Sequence, residues 1–341
     1  MKAYFAIPGD LGTPTGGYVY ARRVMHALHD QDCEIQSIQL PDGFPAATEQ
    51  MLASTVSTLR ALPSGAPILL DGLAGGVLPA RLIASLPGPV VMLCHHPLAL
   101  ETGVAPETAA KLRITERDAL GACSAVITTS HATAEILIRD YAVSPEKLTV
   151  APPGTDPAPR APADGPCRIL SVGSLTRRKR HDALLEACNQ HRDYDWSLQI
   201  IGPARDQQVQ SDLQDQIARL YLQSRVALRG TLSTAQLAAA YQSADLFALA
   251  SEYEGFGMAF TEAMSHGLPT VGIHCDAVAE ATAGVAELTS TDDFPQILGS
   301  LIADSTRRKA LAEDCWRSAQ TFMRWPQTAA IIADVMKKVQ K

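Results

Sequence analysis

The stretch D-L-F-A-L-A-S-E-Y-E-G-F-G-M-A-F-T-E-A-M-S-H-G-L-P-T-V, residues 245–271, decides the fold class. It opens on an apolar run, Leu246–Leu249, and passes through an acidic turn that holds Gly255 and Gly257. It then enters a helical segment that Gly267, Leu268 and Pro269 bring to an end before a second apolar run. Strand, turn, helix and strand in that order make a βαβ unit, and the strands of such a unit run parallel.

The same alternation extends outward in both directions. On the N-terminal side, short apolar runs fall at Ala3–Ile7, Ile35–Leu40, Ile68–Leu70, Val90–Cys94, Ala125–Thr128 and Leu148–Val150. Segments with helical spacing separate them, such as Tyr18–Leu28 and Ala132–Tyr141. Residues 151–166, A-P-P-G-T-D-P-A-P-R-A-P-A-D-G-P, hold six Pro and two Gly, which stop any regular element. The alternation then restarts at Ile169–Val172, Leu198–Ile201, Val226–Leu228, Leu246–Leu249, Thr270–Ile273 and Val285–Leu288. We therefore expect an α/β chain of two doubly wound parallel-sheet domains, 1–152 and 167–325, joined by a linker at 153–166. A C-terminal helix, 326–341, is able to pack back on the N-terminal domain.

Composition narrows the function. The chain has 341 residues, 46% hydrophobic and 19% charged, enough for two cores and unlike a disordered or collagenous sequence. Its 29 Lys and Arg against 36 Asp and Glu leave a net charge of −7, which repels nucleic acid and anionic lipid on average. Seven Cys without a C-x-x-C pair suggest neither a zinc site nor a complete set of disulfides, and they fit a reducing cytoplasm. The N-terminal apolar run breaks at Pro8, too early for a signal-peptide core. No apolar stretch approaches the ~18 residues of a membrane span, although peripheral membrane contact stays open.

Two stretches carry charge chemistry. At the turn of residues 254–259, Gly257, Met258 and Ala259 stand at the start of a helix, where outward amides and the helix dipole favour an anion. Glu254 and Glu262 flank that point, and carboxylates accept from sugar hydroxyls rather than from phosphates. The other stretch, R-I-L-S-V-G-S-L-T-R-R-K-R-H-D at 168–182, ends a strand in Gly173 and Ser174 and then presents Arg177 to Arg180. In an acidic chain such a run suits a diphosphate leaving group, with Lys179 or Arg178 meeting the developing charge without a metal. Each stretch alone also reads as a solvated turn.

Together they resemble the retaining glycosyltransferases of family 4, which have the GT-B fold of two facing Rossmann-like domains with a cleft between them. E-G-F-G-M-A-F-T-E resembles that family's E-x7-E pattern, with Glu254 and Glu262 at its ends. S-V-G-S-L-T-R-R-K resembles its strand-to-basic-turn motif, with Lys179 at the phosphate-binding position, although Ser174 stands where many members have Arg. The resemblance spans nearly the whole chain. It implies a hexosyltransferase-type enzyme that moves a sugar, with retention, from a UDP-, GDP- or ADP-sugar to an acceptor hydroxyl. It needs no metal and no cofactor beyond the donor. Lys179, Arg178, Ser174, Leu232 and the amides of Gly257, Met258 and Ala259 would hold the donor, Glu262 its ribose and Glu254 the transferred sugar.

In the first half, P-G-D-L-G-T-P-T-G-G-Y at 8–18 resembles the family's first loop, with Gly16 and Gly17 opening a helix toward a ligand. P-V-V-M-L-C-H-H-P ends a strand at His95 and His96, and His95 aligns with a family His near the transferred sugar; Glu101 lies close in sequence. Ser130 reads as a helix cap and Trp325 as packing. The acceptor, whether saccharide, lipid-linked or a small molecule, is not specified. Two other classes stand beside this one: a nicotinamide-dependent oxidoreductase, whose G-x-G-x-x-G fingerprint neither half has, and a non-catalytic nucleotide-sugar sensor.

Overall fold

A computed structural model describes residues 1–162 and 166–340. They divide into two units, one of residues 1–154 with 323–340 and the other of residues 155–162 with 166–322. Of the expected linker, Ala163, Asp164 and Gly165 lie outside the described residues, as does Lys341 of the expected C-terminal helix.

In the first unit the strands are β1 (Lys2–Pro8), β2 (Glu34–Leu40), β3 (Ile68–Asp71), β4 (Val90–Cys94), β5 (Ala125–Thr128) and β6 (Leu148–Val150). Its helices are α1 (Gly16–Leu28), α2 (Glu49–Arg60), α3 (Gly72–Gly75), α4 (Ala80–Ile83), α5 (Pro106–Ala122) and α6 (His131–Tyr141). The sheet order is β2-β1-β3-β4-β5-β6, and every pair is parallel. Ile68–Asp71 and Val90–Cys94 are buried along their whole length, as strands covered on both faces must be. Ser130 caps α6 by accepting from the amide of Thr133 at 3.0 Å.

The second unit holds β7 (Cys167–Val172), β8 (Trp196–Ile201), β9 (Val226–Leu228), β10 (Leu246–Leu249), β11 (Thr270–Ile273) and β12 (Glu287–Thr289). Between and after them run α7 (His181–Asn189), α8 (Gln207–Arg219), α9 (Thr234–Ser243), α10 (Met258–Ser265), α11 (Asp276–Ala281), α12 (Phe294–Ala303) and α13 (Ser305–Ala319). The order β12-β11-β10-β7-β8-β9 is again wholly parallel. Alternate residues of β10 feed opposite cores. Leu246 and Ala248 join Ile169, Leu198 and Phe294 on one face, while Phe247 and Leu249 join Leu170, Phe260 and Leu268 on the other.

Two segments, the last strand and the start of the linker, differ from a reading by apolar runs alone, and a third, the final helix, packs where that reading allowed. The last strand begins at Glu287 rather than Val285, because Ala283 and Gly284 turn left-handed after α11 and the Val285 amide closes that turn on Thr282. Residues 155–162 count with the second unit: the Ala161 amide donates to His266 O at 2.8 Å, and Arg160 pairs with Glu313 at 2.8 Å. The final helix, α14 (Trp325–Gln340), counts with the first unit. There Trp325 is buried and packs edge-on against Tyr20 at 5.8 Å, while Thr328 donates to Pro152 O at 2.7 Å. Gly154 is required beneath it, since a Cβ there would lie 2.3 Å from the Trp325 nitrogen.

Candidate functional site

In the second unit, β7 leads to β8 and β9 on one side, and β10 leads to β11 and β12 on the other. The sheet therefore reverses its winding between β7 and β10, and the loops leaving their C-terminal ends diverge over the crevice where open α/β sheets bind ligands. Those two loops are the basic turn and the acidic turn of the sequence. Leu246 pairs in register with Ile169, so the sheet itself brings together residues some 75 positions apart.

The loops are tied through both backbone and side chains. The Glu252 amide donates to Arg178 O at 2.9 Å, and the Arg178 guanidinium donates to Tyr253 O. Lys179 Nζ donates to Glu254 Oε1 at 2.5 Å, and Arg178 Nη1 lies 3.4 Å from Glu254 Oε2. Only 13% of the Lys179 side chain and 9% of that of Glu254 is exposed, so this pair interacts far from bulk screening. Burial alone would push the Glu254 carboxyl up; the charges of Lys179 and Arg178, with the Lys179 hydrogen bond, overcome it and hold the group down at about 2. Arg180 takes the outer position, donating to Glu252 at 2.7 Å and to Asp182 at 3.2 Å.

Glycine makes the close approaches possible. The stem of Lys179 lies over Gly173, whose Cβ would stand 3.2 Å from Lys179 Cδ. Gly257 adopts φ +105° as the N-cap of α10, so the chain turns into Met258 and Ala259 at the first turn of the helix. Ser174 follows Gly173 in the β7 loop. Leu232, between β9 and α9, packs against the core that contains Phe247 and Phe260.

Glu262 lies one turn further along α10, and its carboxylate accepts from the buried Tyr241 hydroxyl at 3.0 Å. Tyr241 was not among the sequence candidates. Another such residue is His181, the first residue of α7 and only 1% exposed. Burial chiefly, with the Lys179 charge, pushes its ring down to about 4, so at neutral pH it adds no further cation beneath the basic turn.

The remaining candidates belong to the first unit, whose sheet reverses its winding between β1 and β3. Gly16 and Gly17 are the first residues of α1. A Cβ on Gly17 would lie 3.4 Å from the His95 ring, so the absence of a side chain there gives the imidazole its room. The ring of His95 stands edge-on to Tyr20 at 5.2 Å, and its Nε2 is 3.8 Å from Asp71 Oδ2. Burial, with the neighbouring His96, lowers His95 to about 4, and burial raises Asp71 to about 7. His96 pairs instead with Glu101 at 3.2 Å. Asp71, the N-cap of α3, is a neighbour of His95 that the sequence reading did not name.

Among the described residues no cluster of three or more His, Cys, Asp or Glu is arranged to hold a metal ion. Nor is any described helix long and apolar enough to cross a membrane.

Residues 155–313 match the family model "Glycosyl transferases group 1", and residues 68–159 match "Glycosyltransferase Family 4". Mannosylfructose-phosphate synthase of Agrobacterium fabrum is 30% identical over 169 residues, covering 44% of this chain and 37% of that protein. MMP alpha-(1->4)-mannosyltransferase of Mycolicibacterium hassiacum is 30% identical over 223 residues, covering 62% and 54%. D-inositol 3-phosphate glycosyltransferase of Kineococcus radiotolerans is 29% identical over 274 residues, covering 70% and 62%. The chain thus spans between 37% and 62% of the length of these curated relatives.

Among solved structures, sucrose-phosphate synthase from Thermosynechococcus elongatus superposes with a TM-score of 0.80 at 19% identity, over 98% of both chains. Anabaena HepE in complex with UDP-glucose gives 0.78 at 19% identity, over 99% of this chain and 100% of that one. At that identity the likeness concerns the fold. With two six-stranded parallel sheets, the chain is an α/β protein whose structural neighbours are GT-B glycosyltransferases, and its residues 155–313 are similar to the glycosyl transferases group 1 family.

Proposed function

We propose that this protein transfers a sugar from a nucleoside diphosphate sugar to an acceptor hydroxyl, with retention of configuration and without a metal ion. The observation that carries the reading is the pairing of Lys179 and Arg178 with Glu254 at the point where the second sheet reverses its winding. Cations and a carboxylate held there, beside the N-terminus of α10, match the two halves of such a donor. Lys179, Arg178 and the amides of Gly257, Met258 and Ala259 take the diphosphate. Glu254 accepts from hydroxyls of the transferred sugar and Glu262 from the ribose. Ser174 and Leu232 line the donor side.

As the bond from the anomeric carbon to the diphosphate oxygen breaks, negative charge grows on the leaving group. Lys179 and Arg178 meet it in a largely buried setting, where one such contact lowers the barrier by roughly 2.7–4 kcal/mol. The acceptor oxygen bonds to the same carbon, and its proton passes to the departing phosphate. In the first unit, His95 is the neutral group offered to a sugar hydroxyl, and the helix start at Gly16 and Gly17 is the second approach to ligand. HepE in complex with UDP or with UDP-glucose supports UDP as the first donor to try, ahead of GDP and ADP. Two relatives are named for phosphorylated compounds, which puts phosphorylated small molecules first among acceptors, before saccharides and lipid-linked substrates. Seven unbridged thiols support a reducing compartment such as the cytoplasm.

Thermal shifts with UDP, GDP, ADP, dTDP and NAD on wild type and Lys179→Ala test the reading, since specific binding stabilises by mass action. Stabilisation by one nucleoside diphosphate, lost in Lys179→Ala, is expected. A response to NAD alone would overturn the proposal. Turnover with the sugar nucleotides so chosen, in the presence and absence of EDTA, then tests metal independence, and the anomeric configuration of the product read by NMR tests retention.

A further inference from the structure

Tyr241 lies near the C-terminal end of α9 and is 2% exposed. Its ring is stacked on His266 at 5.1 Å with an interplanar angle of 11°, and it lies 6.4 Å from Phe247 at 30°. His266 is itself held, its Nδ1 donating to Pro159 O at 3.1 Å. The phenol therefore has little rotational freedom, and its hydroxyl points at two acceptors on α10: Glu262 Oε2 at 3.0 Å and, more weakly, Ala259 O at 3.5 Å.

Glu262 is a long, half-buried side chain on the surface of α10, and left to itself such a carboxylate samples several rotamers. Recognition of neighbouring hydroxyls requires one orientation, because each hydroxyl must find a lone pair along its own direction. Burial, with the nearby Glu262 charge, raises the Tyr241 phenol well above its ordinary range, so it remains a donor throughout the neutral range. A buried donor held by stacking and aimed at one carboxylate oxygen is a device for orienting the other.

We propose that Tyr241 is a positioning residue that orients Glu262, and that discrimination between ribose and deoxyribose in the donor depends on its hydroxyl. The inference rests on the donor reading given above. It also accounts for a polar atom in the core beside Phe247 and Phe260, where a Phe at position 241 would fill the same space without the cost of burying a hydroxyl.

The test measures binding of UDP, GDP and ADP, each beside its 2′-deoxy and 3′-deoxy counterparts, to wild type, Glu262→Gln and Tyr241→Phe, with urea unfolding of each protein. Wild type is expected to prefer a ribonucleotide by about tenfold, the worth of one hydrogen bond to a charged group. Glu262→Gln abolishes most of that preference. Tyr241→Phe lowers it several-fold by weakening the ribonucleotide while leaving the deoxynucleotides unchanged. Equal weakening of ribo and deoxy forms would make Tyr241 a packing residue and overturn the inference, as would an unchanged preference. If wild type binds a nucleoside diphosphate but ignores its ribose hydroxyls, the ribose role of Glu262 fails and the inference fails with it. If no nucleoside diphosphate binds, the donor reading itself fails.

Discussion

The two units reverse their sheets by the same kind of topology and place opposite electrostatics at the reversal. In the second unit the loops leaving β7 and β10 bring cations against a carboxylate, and Glu254 stays ionised although it is buried. In the first unit burial pushes titratable groups toward their neutral forms: His95 down to about 4, Asp71 up to about 7, and Glu116, whose carboxylate accepts from the Leu98 amide at 2.9 Å, up to about 8. Burial acts alike in both. What differs is what opposes it: at Glu254 the cations Lys179 and Arg178, with the Lys179 hydrogen bond, outweigh burial, whereas at His95, Asp71 and Glu116 burial prevails.

Lys179→Ala attacks this difference most directly. It leaves Glu254 buried with Arg178, at 3.4 Å, as its remaining neighbouring cation. We expect loss of about 3 kcal/mol in urea unfolding and a fall in turnover of about 10²- to 10³-fold. The acid limb should move as well. The Glu254 contribution is present above the ordinary carboxylate range and is lost as pH falls toward about 2, so wild type keeps it to lower pH than the variant does. Unchanged unfolding at low pH would show that Arg178 suffices.

Next in size is Glu116→Gln. A carboxyl whose folded value is raised to about 8 contributes stability that is present below its unfolded value near 4 and is lost as pH rises toward 8. The neutral amide escapes this loss, so the variant should gain on wild type by a few kcal/mol, roughly 2–5, between pH 4 and 8. Hydrogen exchange read on the first-unit strands should follow that gain, with second-unit strands insensitive. Asp71 pulls in the same direction up to about 7, whereas His95 pulls in the opposite one: its share is present above about 6.5 and fades as pH falls to about 4.

Gly257→Ala tests the backbone geometry at the start of α10. A Cβ there would meet Val278 Cγ2 at 3.0 Å on a left-handed backbone, and we expect a loss of about 1–2 kcal/mol together with weaker diphosphate binding. The smallest effect belongs to Arg180→Ala, whose partners Asp182 and Glu252 are half exposed; below about 1 kcal/mol is expected in unfolding, shrinking with added salt.

Much of the fold was legible because a strand covered on both faces must be apolar throughout, and runs such as Val90–Cys94 and Thr270–Ile273 announce themselves. Val285 misled for the same reason: its side chain is apolar, but its amide belongs to a turn. Of the candidate site, the residue types and turns were visible, since glycines and clustered charges punctuate a sequence. The partnerships were not. That Lys179 neutralises Glu254 depends on strand order, which no local pattern records, and sequence alone treated the two as binding different parts of a donor. Asp71 and Tyr241 were missed because one reads as the end of an apolar strand and the other as a core aromatic; each acquires meaning only from a neighbour more than 20 residues away.

The return of α14 to the first unit has a consequence during synthesis. A chain emerging from the ribosome at about 5–20 residues per second delivers the second unit whole and in one piece. The first unit must wait, with Tyr20 and Pro152 lacking their partners, through the translation of residues 155–322, a delay of roughly 8–35 s at that rate. During that interval the nascent first unit exposes the apolar surface that Trp325 and Ile332 will later cover, which makes it the half of the molecule that molecular chaperones have most reason to hold.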